Sequence, residues 1–228
     1  LYYDDRIIIK NSKYYENSLV KTSICMSYYD RKEQFKFFKD FEELFFGLTT
    51  HLNCENIYNY CKKKKIPFFA YYLYQTNKAV NQVNNFRQRI INDQIYQFDV
   101  IHISTTIARK NKTFGFSYLK HSEHFNEFLD QFVKERKRIE NSDLLMPANM
   151  DEQVIHYSAI PWINFSSISN VRKFSINDTC PKITFGKIHK SKEGLMMPVS
   201  IHAHHALVDG YHIGQLVQII QNNFNNNE

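Results

Sequence analysis

Pro198-Val199-Ser200-Ile201-His202-Ala203-His204-His205-Ala206-Leu207-Val208-Asp209-Gly210-Tyr211-His212 is the stretch on which the fold turns. Small and apolar residues lead in, as they do in a buried strand. Three histidines then fall within four positions. Asp209-Gly210 makes a turn. A terminal helix is expected from Gly214 to Phe224, with Leu216, Val217, Ile219, Ile220 and Phe224 apolar. A strand that ends in histidine and drops into an Asp-Gly turn fixes an imidazole close to a carboxylate. That arrangement suits general-base catalysis.

The histidines have other readings. His202 and His204 share a strand face, so both could ligate zinc if a third ligand came from elsewhere. A structural imidazole is the plainer reading of His202, His204 and His212. His205 stands apart because Asp209 follows four residues on, through the turn.

Working outward, 228 residues fit one large domain or two small ones. A 43% hydrophobic content with 19 Phe and 15 Tyr allows a substantial core, and only 6 Gly and 5 Pro argue against a loop-dominated or repeat fold. Neither a linker nor a repeat divides the chain, so residues 1–228 read as a single domain. The net charge of +6 fits a nucleic acid, a membrane surface or an anionic small ligand. Zinc-finger spacing, an Arg-rich arm and an RNA-binding aromatic signature are all missing, which favours the anionic ligand over nucleic acid. Cys25, Cys54, Cys61 and Cys180 have no metal or disulfide spacing and read as reduced thiols of a cytoplasmic protein. Ile66 to Leu73 is far short of a membrane span.

Apolar spacing predicts the remaining elements. Asp30, with Glu33 three residues on, is a candidate N-cap for a helix through Phe38. Phe41 to Leu52 fits a strand. A helix from Asn53 ends in Lys62-Lys63-Lys64-Lys65, which complements its dipole or contacts phosphate. Phe68 to Val83 reads as a buried helix. Strand-like runs follow at 86–91, 95–98, 100–108 and 113–118. His121 to Ile139 is amphipathic. Gln153 to Ile160, Ile183 to Ile188 and Leu195 to Ala203 are the last strands.

Five segments in order resemble the chloramphenicol acetyltransferases. His204 to His212 is similar to the family's HHxxxDGxH signature. Arg31-Lys32-Glu33, with Phe35, resembles RKExF. Ser158 to Phe165 resembles SAxPWxxF, Pro181 to Lys187 resembles PxxTxxK, and Met197 to Ser200 resembles the LPLS lead-in. The dihydrolipoamide acyltransferases share only the looser HxxxDG part. The matches run from about residue 28 to 220 and leave residues 1–25 outside.

The resemblance implies an α/β two-layer sandwich, with a mixed β-sheet and flanking helices. It implies a homotrimer with active sites at the subunit interfaces, no metal, acetyl-CoA as co-substrate, and acetyl transfer to a hydroxyl of chloramphenicol, an antibiotic inactivation. His205 would be the general base of a direct transfer, Ser158 the oxyanion donor, and Thr184 the holder of an active-site water. Asp209 would pair with Arg31. Lys64 and Lys187 would meet CoA, with Ile188 in place of an adenine-stacking tyrosine. Phe38, Phe46, Ile103, Thr105, Phe114 and His156 would line the acceptor pocket. Lys182 stands where the family has an aliphatic residue, and Leu44 where it has a small one. These departures admit another small alcohol or amine as acceptor. A non-catalytic ligand-binding relative is the other alternative.

Overall fold

The computed structural model describes residues 21–146, 151–172 and 178–226. The clusters Tyr2-Tyr3 and Ile7-Ile8-Ile9, and Pro147, lie outside them. In chain order the elements begin with β1 (Lys21–Ser23), α1 (Lys32–Phe38), β2 (Phe45–Asn53), α2 (Glu55–Lys64) and α3 (Phe68–Gln82). Four short strands follow: β3 (Gln88–Ile91), β4 (Gln94–Phe98), β5 (His102–Ala108) and β6 (Phe114–Leu119). Then come α4 (Phe125–Glu140), β7 (Val154–Ile160), β8 (Lys182–Gly186), β9 (His189–Ser191), β10 (Gly194–His204) and α5 (Gly210–Asn225).

The large sheet runs in the order β2-β10-β8-β7-β5-β6, with β9 paired to β10. β10 is antiparallel to β2 and β8, while β7 is parallel to β8 and β5, so the sheet is mixed. A smaller sheet, β1-β4-β3, lies apart. β10 lies inside the large sheet, between β2 and β8, and β2 is the strand beside it at one edge.

Side chains alternate across a strand, and this alternation divides the molecule. Met197, Val199, Ile201 and Ala203 of β10 join the buried core with Ile155, Tyr157, Ile183 and Phe185. The helices cover that side. α3 is buried nearly all round, as expected of an apolar helix at the centre of a layer. Pro67 opens it, and Val83, in extended conformation, ends it. Tyr72 packs on Phe185 of the sheet with ring centroids 4.7 Å apart, and Tyr71 meets Phe125 of α4 at 4.8 Å. α5 buries Ile213, Leu216, Ile220 and Phe224, a single helical stripe.

The opposite face presents Pro198, Ser200, His202 and His204. Residues 161–172 cross it: the Ile163 carbonyl accepts from the Lys187 amide at 2.8 Å, and Asn170 bonds His202 at 3.0 Å. Gly47 stands beside His202 in the ladder, and a Cβ there would come within 2.2 Å of the imidazole and displace it.

Two helix starts differ from expectation. α1 begins after Arg31, and Asp30 is exposed and does not cap it. The Arg31 backbone takes the cap position while its side chain reaches Asp209. α5 begins four residues earlier than expected, at Gly210. Asp209 accepts from the Tyr211 amide at 3.0 Å, and the Asp209 amide donates to His212 Nδ1 at 3.2 Å, so the turn carboxylate caps the helix.

Leu52→Ala should cost about 2–5 kcal/mol in urea unfolding, because Leu52 is fully buried in the core. Leu48→Ala, on the same edge strand with 47% exposure, should change stability by less than about 0.5 kcal/mol. Equal effects would contradict the difference in burial between these two positions of one strand face. Acid lability is a second expectation. Burial pulls His102 and His204 from 6.5 to about 4, with the Arg172 charge adding to the effect at His204. Between those values the unfolded chain binds protons that the fold refuses. Stability therefore falls as pH drops from 6.5 toward 4, by up to about 1.4 kcal/mol per histidine per unit. Thermal melts at pH 7 and pH 5 should show a lower melting temperature at pH 5, and level values would contradict the burial of these rings.

Candidate active site

His205 opens the turn after β10. Its amide donates to the Leu44 carbonyl at 2.8 Å, which ties the turn to the start of β2. Its Nδ1 lies 3.1 Å from the Val208 carbonyl oxygen. A carbonyl only accepts, so Nδ1 carries the proton and Nε2 presents a lone pair. The ring is stacked between Phe38, at 3.9 Å and 16°, and Phe46, at 4.3 Å and 30°. Turn, hydrogen bond and two aromatic faces together fix its orientation.

Arg31 holds the same turn from the other side. One guanidinium nitrogen pairs with Asp209 Oδ2, and the other donates to the His205 carbonyl at 3.2 Å. Burial works against ionisation of Asp209, yet the Arg31 bond and charge outweigh it and hold the carboxyl below its usual range. Asp209 thus caps α5, anchors Arg31 and does not itself touch the imidazole ring nitrogens.

A second group lies across the middle of the sheet. Ser158 of β7, Thr184 of β8, Ser200 of β10 and Thr49 of β2 stand side by side in register. Ser158 Oγ and Thr184 Oγ1 are 2.8 Å apart, a direct hydroxyl–hydroxyl bond. Two residues along, the same face carries Ser104, His156, Lys182, His202 and Gly47. Lys182 pairs with Asp178 and lies 4.6 Å over the Phe45 ring. Arg172 packs on that ring at 4.1 Å and pairs with Glu43. Burial, with the Lys182 charge added, pulls His156 down to about 4, so it is neutral at ordinary pH. Burial also opposes charge on Asp178, but the Lys182 ammonium outweighs it and keeps that carboxyl low.

The expected residues therefore fall into separate groups. His205, Asp209, Arg31, Phe38 and Phe46 come together at one end of the sheet. Ser158, Thr184 and His156 come together on the polar face. Five strand positions separate Ser200, in the Ser158 row, from His205, about 16 Å at 3.3 Å per residue. One chain does not bring His205 and Ser158 to a shared atom. Lys187 is exposed past the far end of β8, and Lys64 is the exposed last residue of α2, which leaves β2 at that same end.

Two pocket assignments are corrected. Ile103 and Thr105 are fully buried and stand in register with Ile155 and Tyr157 on the helix-covered side, away from Ser158. Their neighbour Ser104 holds the position on the polar face, beside His156. Phe114 is on the polar face, at the sheet edge, 5.6 Å from Phe116. Sequence reading missed Ser104, Asp178, Asn170 and Phe45. The alternation of Ile101, Ile103 and Ile107 already marks the core side of β5 and could have found Ser104. Among the described residues no group of three could hold a metal ion, and no helix is long and apolar enough to cross a membrane. His202 is bonded to Asn170, and His204 Nδ1 accepts from the Ala206 amide at 3.3 Å.

The family model for chloramphenicol acetyltransferase matches residues 19–221. A chloramphenicol acetyltransferase of Bacillus pumilus is 29% identical over 195 residues, covering 85% of this chain and 89% of that protein. One from Proteus mirabilis is 26% identical over 200 residues, covering 87% and 92%. A solved chloramphenicol acetyltransferase superimposes with a TM-score of 0.80 at 25% identity, covering 90% of this chain and all of that one. A probable dihydrolipoamide acetyltransferase from Listeria monocytogenes shares the fold alone, with a TM-score of 0.59 at 14% identity over 84% of this chain and 88% of that one. With its mixed sheet, its helical layer and a family match over most of its length, the chain belongs to the chloramphenicol acetyltransferase family and is an acyltransferase.

Proposed function

We propose that the protein transfers the acetyl group of acetyl-CoA to a hydroxyl of a small acceptor by direct attack, with His205 as general base. Chloramphenicol, named for the relatives, is the first acceptor to try. Its acetylation would inactivate the antibiotic. The observation that carries this reading is the spent Nδ1 of His205. With its proton given to the Val208 carbonyl, the ring can act only through Nε2. An alcohol is a weak nucleophile at neutral pH, and neutral imidazole is well matched to take its proton in the transition state.

The steps balance without a covalent enzyme intermediate. Nε2 takes the hydroxyl proton as the acceptor oxygen bonds to the thioester carbonyl carbon. The carbonyl oxygen becomes an oxyanion. Either hydroxyl can donate in the 2.8 Å bond between Ser158 and Thr184; with Thr184 as the donor, the Ser158 hydroxyl proton is free to face that oxyanion. The tetrahedral centre then expels the CoA sulfur, which takes the proton back from the imidazolium. Lys64 and Lys187 supply charge for the CoA phosphates.

The separation of His205 from Ser158 supports a site completed between two chains of a homotrimer, each contributing one group. Arg31 and Asp209 act by holding the His205 turn.

Release of CoA thiol in the presence of chloramphenicol tests the reading. His205→Ala should abolish it. Ser158→Ala should lower kcat on the order of 100-fold and leave the KM for acetyl-CoA within about twofold. An unaltered rate in either variant would sink that assignment. Arg31→Ala should lower rate and stability together, by on the order of 1–3 kcal/mol in urea unfolding, because it removes the guanidinium from Asp209 Oδ2 and from the His205 carbonyl.

A further inference from the structure

One row along the sheet from Ser158 and Thr184, the same face carries Ser104, His156, Lys182 and His202 side by side. Each brings a polar group to the ground next to the hydroxyl pair. The Lys182 and Asp178 side chains keep only 12% and 24% of their surface exposed. Their charges cancel, so the row offers no net charge to an ionic acceptor. Phe45 backs the ammonium at 4.6 Å and fixes it from behind. Ser104 is itself buried at 4% exposure.

An apolar acceptor pressed onto this row would strip the remaining water from an ion pair and an imidazole and return no hydrogen bond. A molecule bearing several hydroxyls returns both donors and acceptors. A site built to hydrogen-bond its substrate also rejects analogues that leave its polar groups unpaired.

We propose that Lys182, Asp178, His156 and Ser104 form the subsite that selects the acceptor, and that the preferred acceptor is a small polyhydroxyl compound whose reacting hydroxyl is flanked by others. This rests on the reading of Ser158 and His205 as the transfer residues.

The test uses the purified full chain, acetyl-CoA, and thiol release with chloramphenicol, myo-inositol and a methyl hexoside as acceptors. One polyhydroxyl probe should exceed chloramphenicol in kcat/KM by about tenfold or more. The double variant Asp178→Asn, Lys182→Met removes both charges and should shift that ratio toward chloramphenicol by about tenfold or more. If circular dichroism shows that the double variant does not fold, His156→Leu serves for the same comparison. Thiol release confined to chloramphenicol, or a ratio unchanged within about twofold in the variant, overturns this proposal alone. No thiol release with any acceptor overturns the transferase reading and this proposal with it.

Discussion

The alternation of side chains along β10 is the constraint on which the rest depends. Every second residue, from Met197 to Ala203, belongs to the core and must be apolar. The residues between them, from Pro198 to His204, face the polar side, and their neighbours on β2, β8 and β7 follow by register. Ser158 and Thr184 meet at 2.8 Å because parallel strands place them in one row. The same rule puts Ile103 and Thr105 out of reach of that row. A slip of one residue in β10 would exchange the two faces and lose core and hydroxyl row together.

His205 escapes this alternation because the strand has ended. Its position is set by a turn, and the turn is tied to distant parts of the chain. Leu44 holds its amide, Phe38 and Phe46 enclose its ring, and Arg31 pulls on Asp209 and on the His205 carbonyl. A base held by so many partners loses little entropy on meeting its substrate, which is the physical value of preorganisation. Asp209 serves two ends at once, since it also caps α5. The cost is vulnerability: one carboxylate carries both the helix start and the turn.

Much of this was legible in the sequence. The apolar run from Phe68 announces α3, and the lead-in from Pro198 announces β10. The ordered motifs around Arg31, Ser158, Thr184 and His205 mark the site. What was not legible depends on local conformation that residue spacing does not reveal. The partnership of Asp178 with Lys182 spans an irregular turn, where spacing carries no rule. The early start of α5 is hard to read because His212 stands at the third helical position, where a capping box has Glu or Gln. Family position puts Ile103 and Thr105 in the pocket, whereas their own period puts them in the core, and the period is the better guide.

The central claim is that His205 and Ser158 serve one reaction from two chains. Co-expression of His205→Ala chains with Ser158→Ala chains measures this directly. Random assembly should restore thiol release to about a quarter of wild type, the chance that an interface draws the intact residue from each side. Activity no higher than the better single variant would contradict a site shared between chains.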